Sequence, residues 1–377
     1  MRASIPVAIS FGLGFVAFMA ASCGKDKKTL TAKNKPVPLS ELTVESMKIS
    51  KSLGFKLPAG LKKLGKSAAA LSLSSEASGK KSTEACRTAG QVNELFFLLS
   101  AMSYTFCTLE AESAQIEFGK KYELKFTEGE EGDETIAIWI DNSQADKLTV
   151  YQCSENKLAQ KIEISSATEA GVKGSMILNF AGSDQDGTYS FASSINFDMS
   201  TEGTKELKSD FKYEIGANTA YAQSVVIKMN DLGVSRFGSS IRGTYSGSEV
   251  LLRGYLKHSG NFGQAVLKGA VTETGAQPKS FSSRSTFNAD GHLIDNSSAA
   301  PELKVEKTEI PALLPATYSV QAPTGWDCKA TETITVPLKT GPRASAHKAC
   351  EQSFEEVSFD DCFGDDYSVG NIEDFGE

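Results

Sequence analysis

The chain has 377 residues, 40% of them hydrophobic, with seven cysteines and a formal net charge of −8. That content allows a substantial core. A mean hydropathy of −0.22, and no apolar run near the ~20 residues of a spanning helix, argue against an integral helical membrane protein. The acidic balance also argues against nucleic acid as a partner.

Residues 1–22 read as a signal peptide: Arg2 near the start, an apolar stretch from Phe11 to Ala21, then small residues before a cysteine. The stretch is about half of what a spanning helix needs, so cleavage is expected. Its ending, Phe18-Met-Ala-Ala-Ser22-Cys23-Gly24, resembles the lipobox of bacterial lipoproteins, with Ala20 where that family usually has leucine. The resemblance covers only residues 1–24. It implies that Cys23 is diacylated and becomes the first mature residue, so that the protein is held in the cell envelope through a membrane-inserted lipid. Gly24 is not the aspartate that favours inner-membrane retention in enteric lipoproteins, and by that resemblance the outer membrane is preferred.

Residues 23–81 form the lipid anchor and a Lys-rich tether. From 24 to 81 there are 13 Lys against 4 acids, a local excess of +9, which suits a stretch lying against anionic headgroups. Leu61, Leu64, Ala68 and Leu71 share one helical face beside Lys62, Lys63 and Lys66. Two readings stay open for it: a membrane-surface helix, or a solvated linker weakened by Gly60 and Gly65. Gly60-Leu-Lys-Lys-Leu-Gly65-Lys66-Ser67 satisfies the P-loop spacing. That motif needs a buried strand before it and a βαβ setting, and the residues up to Pro58 make no such strand. The match reads as coincidence.

The next segment predicts one long core helix over residues 82–116. Val92, Leu95, Phe96, Leu99, Met102 and Phe106 recur at helical spacing, Ser82 and Thr83 are N-cap candidates, and Glu84 falls in the first turn. A straight helix would hold Cys86 and Cys107 roughly 31 Å apart. A disulfide allows about 7 Å between Cα atoms, so each must bond elsewhere.

From about 120 to 290 come strand signals: Tyr122–Thr127, Glu134–Asp141, Lys147–Gln152, Gln160–Ser165, Ser175–Phe180, Thr188–Phe197, Leu207–Ile215, Ala222–Met229, Glu249–Lys257, Gln264–Thr272 and Ser280–Asn288. Gly- and Asp-rich turns separate several of them. Short turns describe an antiparallel meander rather than βαβ units. The expected fold is mainly β: a large antiparallel meander, as a curved sheet, half-barrel or barrel, covered by the one long N-terminal core helix.

Beyond Pro301, prolines break the chain into short extended pieces. A β-rich domain over 82–340 is expected, then a disulfide-clamped acidic tail over 341–377; residues 351–377 hold 10 acids and no Lys or Arg. Cys86, Cys107, Cys153, Cys328, Cys350 and Cys362 form an even set without CxxC spacing, which in an exported protein reads as disulfides. Three precede residue 154 and three follow 327. Complete pairing therefore needs at least one bridge between the halves.

No catalytic constellation stands in a credible setting. There is no GxSxG. Ser78-Gly-Lys-Lys81 matches SxxK only in the tether, and Ser209-Asp-Phe-Lys212 does so in a predicted strand, where Ser and Lys face opposite sides. His258, His292 and His347 show no HExxH or HxH spacing. His258 ends a strand and His292 follows a turn, so solvated rings are expected. Asp184-Gln-Asp186-Gly187 covers half a calcium loop, but Gly182 stands where a third acid is needed, so a turn is expected. No metal and no cofactor is expected, and the protein reads as non-enzymatic.

Two functions fit. One is binding or carrying an apolar ligand on a curved β-sheet. The other is a structural or surface-interaction role with an envelope protein as partner. In element order the first resembles, distantly, the half-barrel proteins that ferry lipoproteins and lipids.

Overall fold

The computed structural model describes residues 36–39, 42, 80–93, 95, 115–127, 134–184, 187–216, 219–230, 235–245, 247–259, 262–295, 303–337, 362, 367–368 and 371–372. Strand β1 (Lys81–Ser82) precedes helix α1 (residues 83–93). Then come β2 (Lys121–Thr127), β3 (Glu134–Gln144), β4 (Lys147–Ser154), β5 (Lys157–Thr168), β6 (Gly171–Asp184) and β7 (Gly187–Asp198). They are followed by β8 (Thr204–Ile215), β9 (Thr219–Asn230), β10 (Ser235–Tyr245), β11 (Ser248–His258), β12 (Phe262–Thr272) and β13 (Lys279–Asn288). Short strands β14 (Leu293–Ile294), β15 (Glu332–Pro337), β16 (Tyr367–Ser368) and β17 (Asn371–Ile372) complete the set.

From β2 to β14 every strand pairs antiparallel with its neighbour in sequence. β15 adds in parallel to the outer side of β2, and β17 pairs with β13 beside β14. The order does not return on itself, so the meander is an open, curved sheet rather than a closed barrel. All the expected strands form; β10, β15 and the two-residue strands β1, β14, β16 and β17 go beyond that set.

Alternation decides which way each strand faces. In β8, Leu207, Phe211 and Tyr213 are buried, while Lys208 and Lys212 lie on the other side and pair with Asp210 and Glu214. Register then lines up the apolar positions. Phe197, Leu207, Ile227, Phe237, Leu256 and Ala265 stand directly opposite one another across β7 to β12. All are buried, and each of the larger ones stabilises the fold by roughly 1.5–3 kcal/mol. One continuous cluster runs from Tyr122 and Leu124 on β2 to Phe287 on β13.

Helix α1 begins at a side-chain cap. The Ala85 backbone N–H donates to Ser82 Oγ at 3.0 Å, satisfying one of the unpaired amides of the first turn. Ala85, Ala89, Val92 and Leu95, the last also helical, face the sheet and join its cluster. Of the expected 82–116 helix, residues 83–93 and Leu95 are helical, whereas Ser82 belongs to β1 and Gln115 and Ile116 are not α-helical. Residues 94 and 96–114, and with them Cys107, lie outside the described residues.

Among the described residues two disulfides close the fold. Cys86 on α1 bonds Cys362, and Cys153 on β4 bonds Cys328, with Cα atoms 5.7 and 5.8 Å apart. Each joins a cysteine before residue 154 to one after 327, as cysteine parity requires of at least one bridge. Between β14 and β15 the chain returns across the outer face of the sheet as a strap, residues 303–331.

Candidate functional site

The inner face, the one bearing α1, combines two chemistries. Most of its rows are aliphatic or aromatic. At one end Phe180, Phe191, Tyr213 and Tyr221 stand opposite one another on β6 to β9. Their rings and that of Phe211 lie 5.1–6.5 Å apart by centroid, within the range of favourable aromatic contacts.

Through this surface runs a stripe of polar side chains: Gln152 (β4), Gln160 (β5), Ser193 (β7), Ser209 (β8), Gln223 (β9) and Ser239 (β10). Ser193, Ser209, Gln223 and Ser239 are 0% exposed. Ser193 and Ser209 share a 3.0 Å hydrogen bond, and Gln160 Nε2 lies 3.1 Å from Met176 Sδ. Gln223 Nε2 donates to Ser239 Oγ at 2.8 Å and to the Gln91 carbonyl of α1 at 3.4 Å. The stripe is left unfinished. Among the described residues, Gln152 Oε1 and Gln223 Oε1, together with Gln91 Oε1 and Thr88 Oγ1 on the helix, are buried without a hydrogen-bond partner.

Glycine lets the helix approach. A Cβ on Gly254 of β11 would lie 2.4 Å from Thr88 Oγ1. At the helix start, the Ser82 and Ser285 hydroxyls share a hydrogen bond between α1's cap and β13. The helix therefore crosses the inner face from β13 toward β9.

The outer face is charged and tied by ion pairs such as Lys147–Glu163 at 2.8 Å, Lys173–Asp198 at 2.9 Å and Lys228–Glu206 at 3.2 Å. The hydrogen bond from Lys147 holds the Glu163 carboxyl below the ordinary carboxylate range. Over β8 to β13 this face carries the strap. Arg253 donates to the Pro311 and Ile310 carbonyls at 2.6 and 2.9 Å, and Arg284 to the Val305 carbonyl at 3.0 Å. Lys257 binds the Lys304 carbonyl and Glu309, while Ser240 donates to Ala312 O at 2.7 Å. Burial beneath the strap, with Glu309 nearby, pushes the Tyr255 hydroxyl up to about 12. Farther along, Tyr318 donates to the Asp210 carbonyl of β8. The strap ends where Trp326 meets Trp139, itself stacked on Tyr151 at 5.0 Å beside the Cys153–Cys328 bridge.

Of the residues singled out by sequence, Cys86, Cys153, Cys328 and Cys362 stand in disulfides. Cys23, Cys107, Cys350, His347 and the P-loop-like segment 60–67 lie outside the described residues. His258 corrects its expectation: it ends β11, but its ring is buried, stacks on Phe287, and is held below the ordinary imidazole value by desolvation. The lack of a Cβ at Gly263 makes room for the Phe287 ring. His292 is half-buried, with its backbone bridged to Lys81. Ser209 faces inward and Lys212 outward, so the SxxK match brings nothing together. Asp184 and Gly187 pair across the β6–β7 hairpin. Among the described residues no three His, Cys, Asp or Glu side chains converge as metal ligands.

The polar stripe escaped sequence reading because isolated Ser and Gln in alternating strands look solvent-facing. Only pairing register places them inside. Comparison of the chain with family models, curated proteins and solved structures finds no match.

Proposed function

We propose that this chain is a lipid-anchored protein of the bacterial cell envelope, held through Cys23 at the outer membrane, that works without catalysis and binds an apolar ligand on the inner face of its curved sheet. One observation carries the reading: the polarity of the two faces. The inner face is aromatic and aliphatic from β2 to β13. The outer carries Lys161, Glu163, Lys208, Asp210, Lys212 and Glu214. Strands of 10 to 14 residues, as in β5 to β13, are long enough to cross a bilayer. A membrane barrel, however, needs its apolar band outside and its polar residues within. Here the arrangement is inverted, as suits a water-facing shell around an apolar guest.

Native mass spectrometry of the protein, purified without its lipid anchor, tests the reading. A co-purifying apolar molecule, lost on solvent extraction and regained on incubation with envelope lipids, is expected. A single mass equal to the bare chain under every loading condition would overturn it.

A second reading, a structural or surface-interaction lipoprotein, is favoured by the seating of α1 on the inner face and by the two long-range bridges. Protease shaving of intact cells separates the two, since a surface partner must face outward.

A further inference from the structure

We infer that the inner polar stripe is a subsite for the hydrogen-bond-donating part of an amphiphilic ligand: a hydroxyl, amide N–H or amine carried on an apolar chain. The inference rests on the apolar-ligand reading above and adds the chemistry of the head.

Gln223 and Thr88 are 0% exposed and Gln91 is 8% exposed, so water outside the fold does not serve them. Gln223 Oε1, Gln91 Oε1 and Thr88 Oγ1 have no hydrogen-bond partner among the described residues, and leaving such atoms unmatched is costly. The orientation of the Gln223 amide follows from its neighbours. One of its contacts is the Gln91 backbone carbonyl at 3.4 Å, which can only accept, so the atom facing it is the N–H₂. The atom left over is the carbonyl oxygen.

The Gln223 amide oxygen can only accept, and the Thr88 hydroxyl can accept as well. A complementary ligand group brings donors. A carboxylate or a phosphate diester brings lone pairs, and would set them against lone pairs in a buried site. The rows beside the stripe are apolar, with Phe191 and Phe211 toward one end of the strands and Phe237 and Leu256 toward the other, so an apolar chain would meet them. Because Thr88 and Gln91 belong to α1, the head group lies where the helix meets β9 and β10. Ordered water is the competing occupant, since it also donates two hydrogen bonds.

The test uses the full mature chain, with Cys23→Ser to omit the lipid, and displacement of a fluorescent apolar probe by three amphiphiles of equal chain length. These are a monoacylglycerol, the ionised fatty acid and an alkyl phosphate. The monoacylglycerol should displace the probe at least about tenfold more tightly than either anion, as one satisfied buried acceptor implies. Gln223→Leu should erase that preference. Thr88→Val, nearly isosteric, should narrow it and serves if the leucine variant does not fold. Equal displacement by all three, or a preference that survives both substitutions, overturns this inference and leaves the apolar-ligand reading standing. Failure of all three to displace the probe overturns both.

Discussion

Replacing Gly254 by alanine tests how α1 sits on the sheet. A Cβ there would lie 2.4 Å from Thr88 Oγ1 and 3.3 Å from both Thr88 Cβ and Cγ2. Rotating the threonine moves Oγ1 but leaves its Cβ in place, and a β-branched side chain has few alternative rotamers on a helix. Helix and strand must therefore separate slightly. Overpacking of this kind costs about 1–3 kcal/mol. Against that, removing glycine's freedom from the unfolded chain stabilises by about 0.4–1 kcal/mol. A net loss of about 1–2 kcal/mol is expected. Thr88→Ala removes both Oγ1 and Cγ2, so the double variant should recover most of the loss, with a coupling energy of about 1 kcal/mol or more. Urea unfolding of the non-lipidated protein with its disulfides intact, followed by tryptophan fluorescence and circular dichroism, measures all four corners of the cycle. A neutral or stabilising Gly254→Ala, or a double variant no better than the single, would refute the seating of Thr88 against β11.

Other consequences can be measured on the same material. Arg253→Met keeps the stem but abandons the Pro311 and Ile310 carbonyls; a loss of about 2–4 kcal/mol is expected, with earlier proteolytic cutting between 303 and 318 as the readout. Burial holds the His258 imidazole below its ordinary value of 6.5. The unfolded chain therefore takes up a proton just below pH 6.5 that the folded chain refuses. Stability should be full above that pH and fall beneath it, by up to about 1.4 kcal/mol per pH unit, and His258→Phe should flatten the dependence. Replacing Cys153 and Cys328 together by serine should cost about 2–4 kcal/mol, seen as a lower urea midpoint. Thiol labelling of the unreduced protein should find no free thiol among the six downstream cysteines, and one reactive cysteine would contradict complete pairing.

The meander was legible because period-2 alternation survives in almost every strand, and because turn residues mark the hairpins. β10 was not. Its sequence, Ser235-Arg-Phe-Gly-Ser-Ser-Ile-Arg-Gly-Thr-Tyr245, offers few apolar residues and two interior glycines, which normally argue against a strand. Those glycines are requirements of packing. A Cβ on Gly238 would meet Pro311 of the strap at 2.7 Å, and one on Gly243 would meet Tyr221 at 2.3 Å. What hid the strand is thus the close approach of neighbours distant in sequence. The prolines of the strap predict extended pieces, and what holds them down includes Arg253, Lys257 and Arg284, cations that in isolation look like solvated strand residues. The candidate site was the least legible part. Nothing local distinguishes Ser193 or Gln223 from an outward-facing residue; the register with Phe191, Ile227 and Phe237 does.

The partnership of β15 with β2 bears on how the protein is made. The first long strand of the sheet finds its parallel neighbour some two hundred residues later, and Cys86 waits 276 residues for Cys362. Hairpins β3 to β12 can zip up one after another as the polypeptide emerges, since the ladder partners of each strand are its neighbours in sequence. Completion cannot proceed that way. Until the last segment has been delivered, β2 remains an unsatisfied edge and the cysteine at the base of α1 an unpaired thiol. Contacts of such long sequence separation are slow to form. The interval between the emergence of β2 and the arrival of residue 362 is accordingly when this chain is most exposed to mispairing, and when a holding chaperone or a disulfide isomerase would change its yield most.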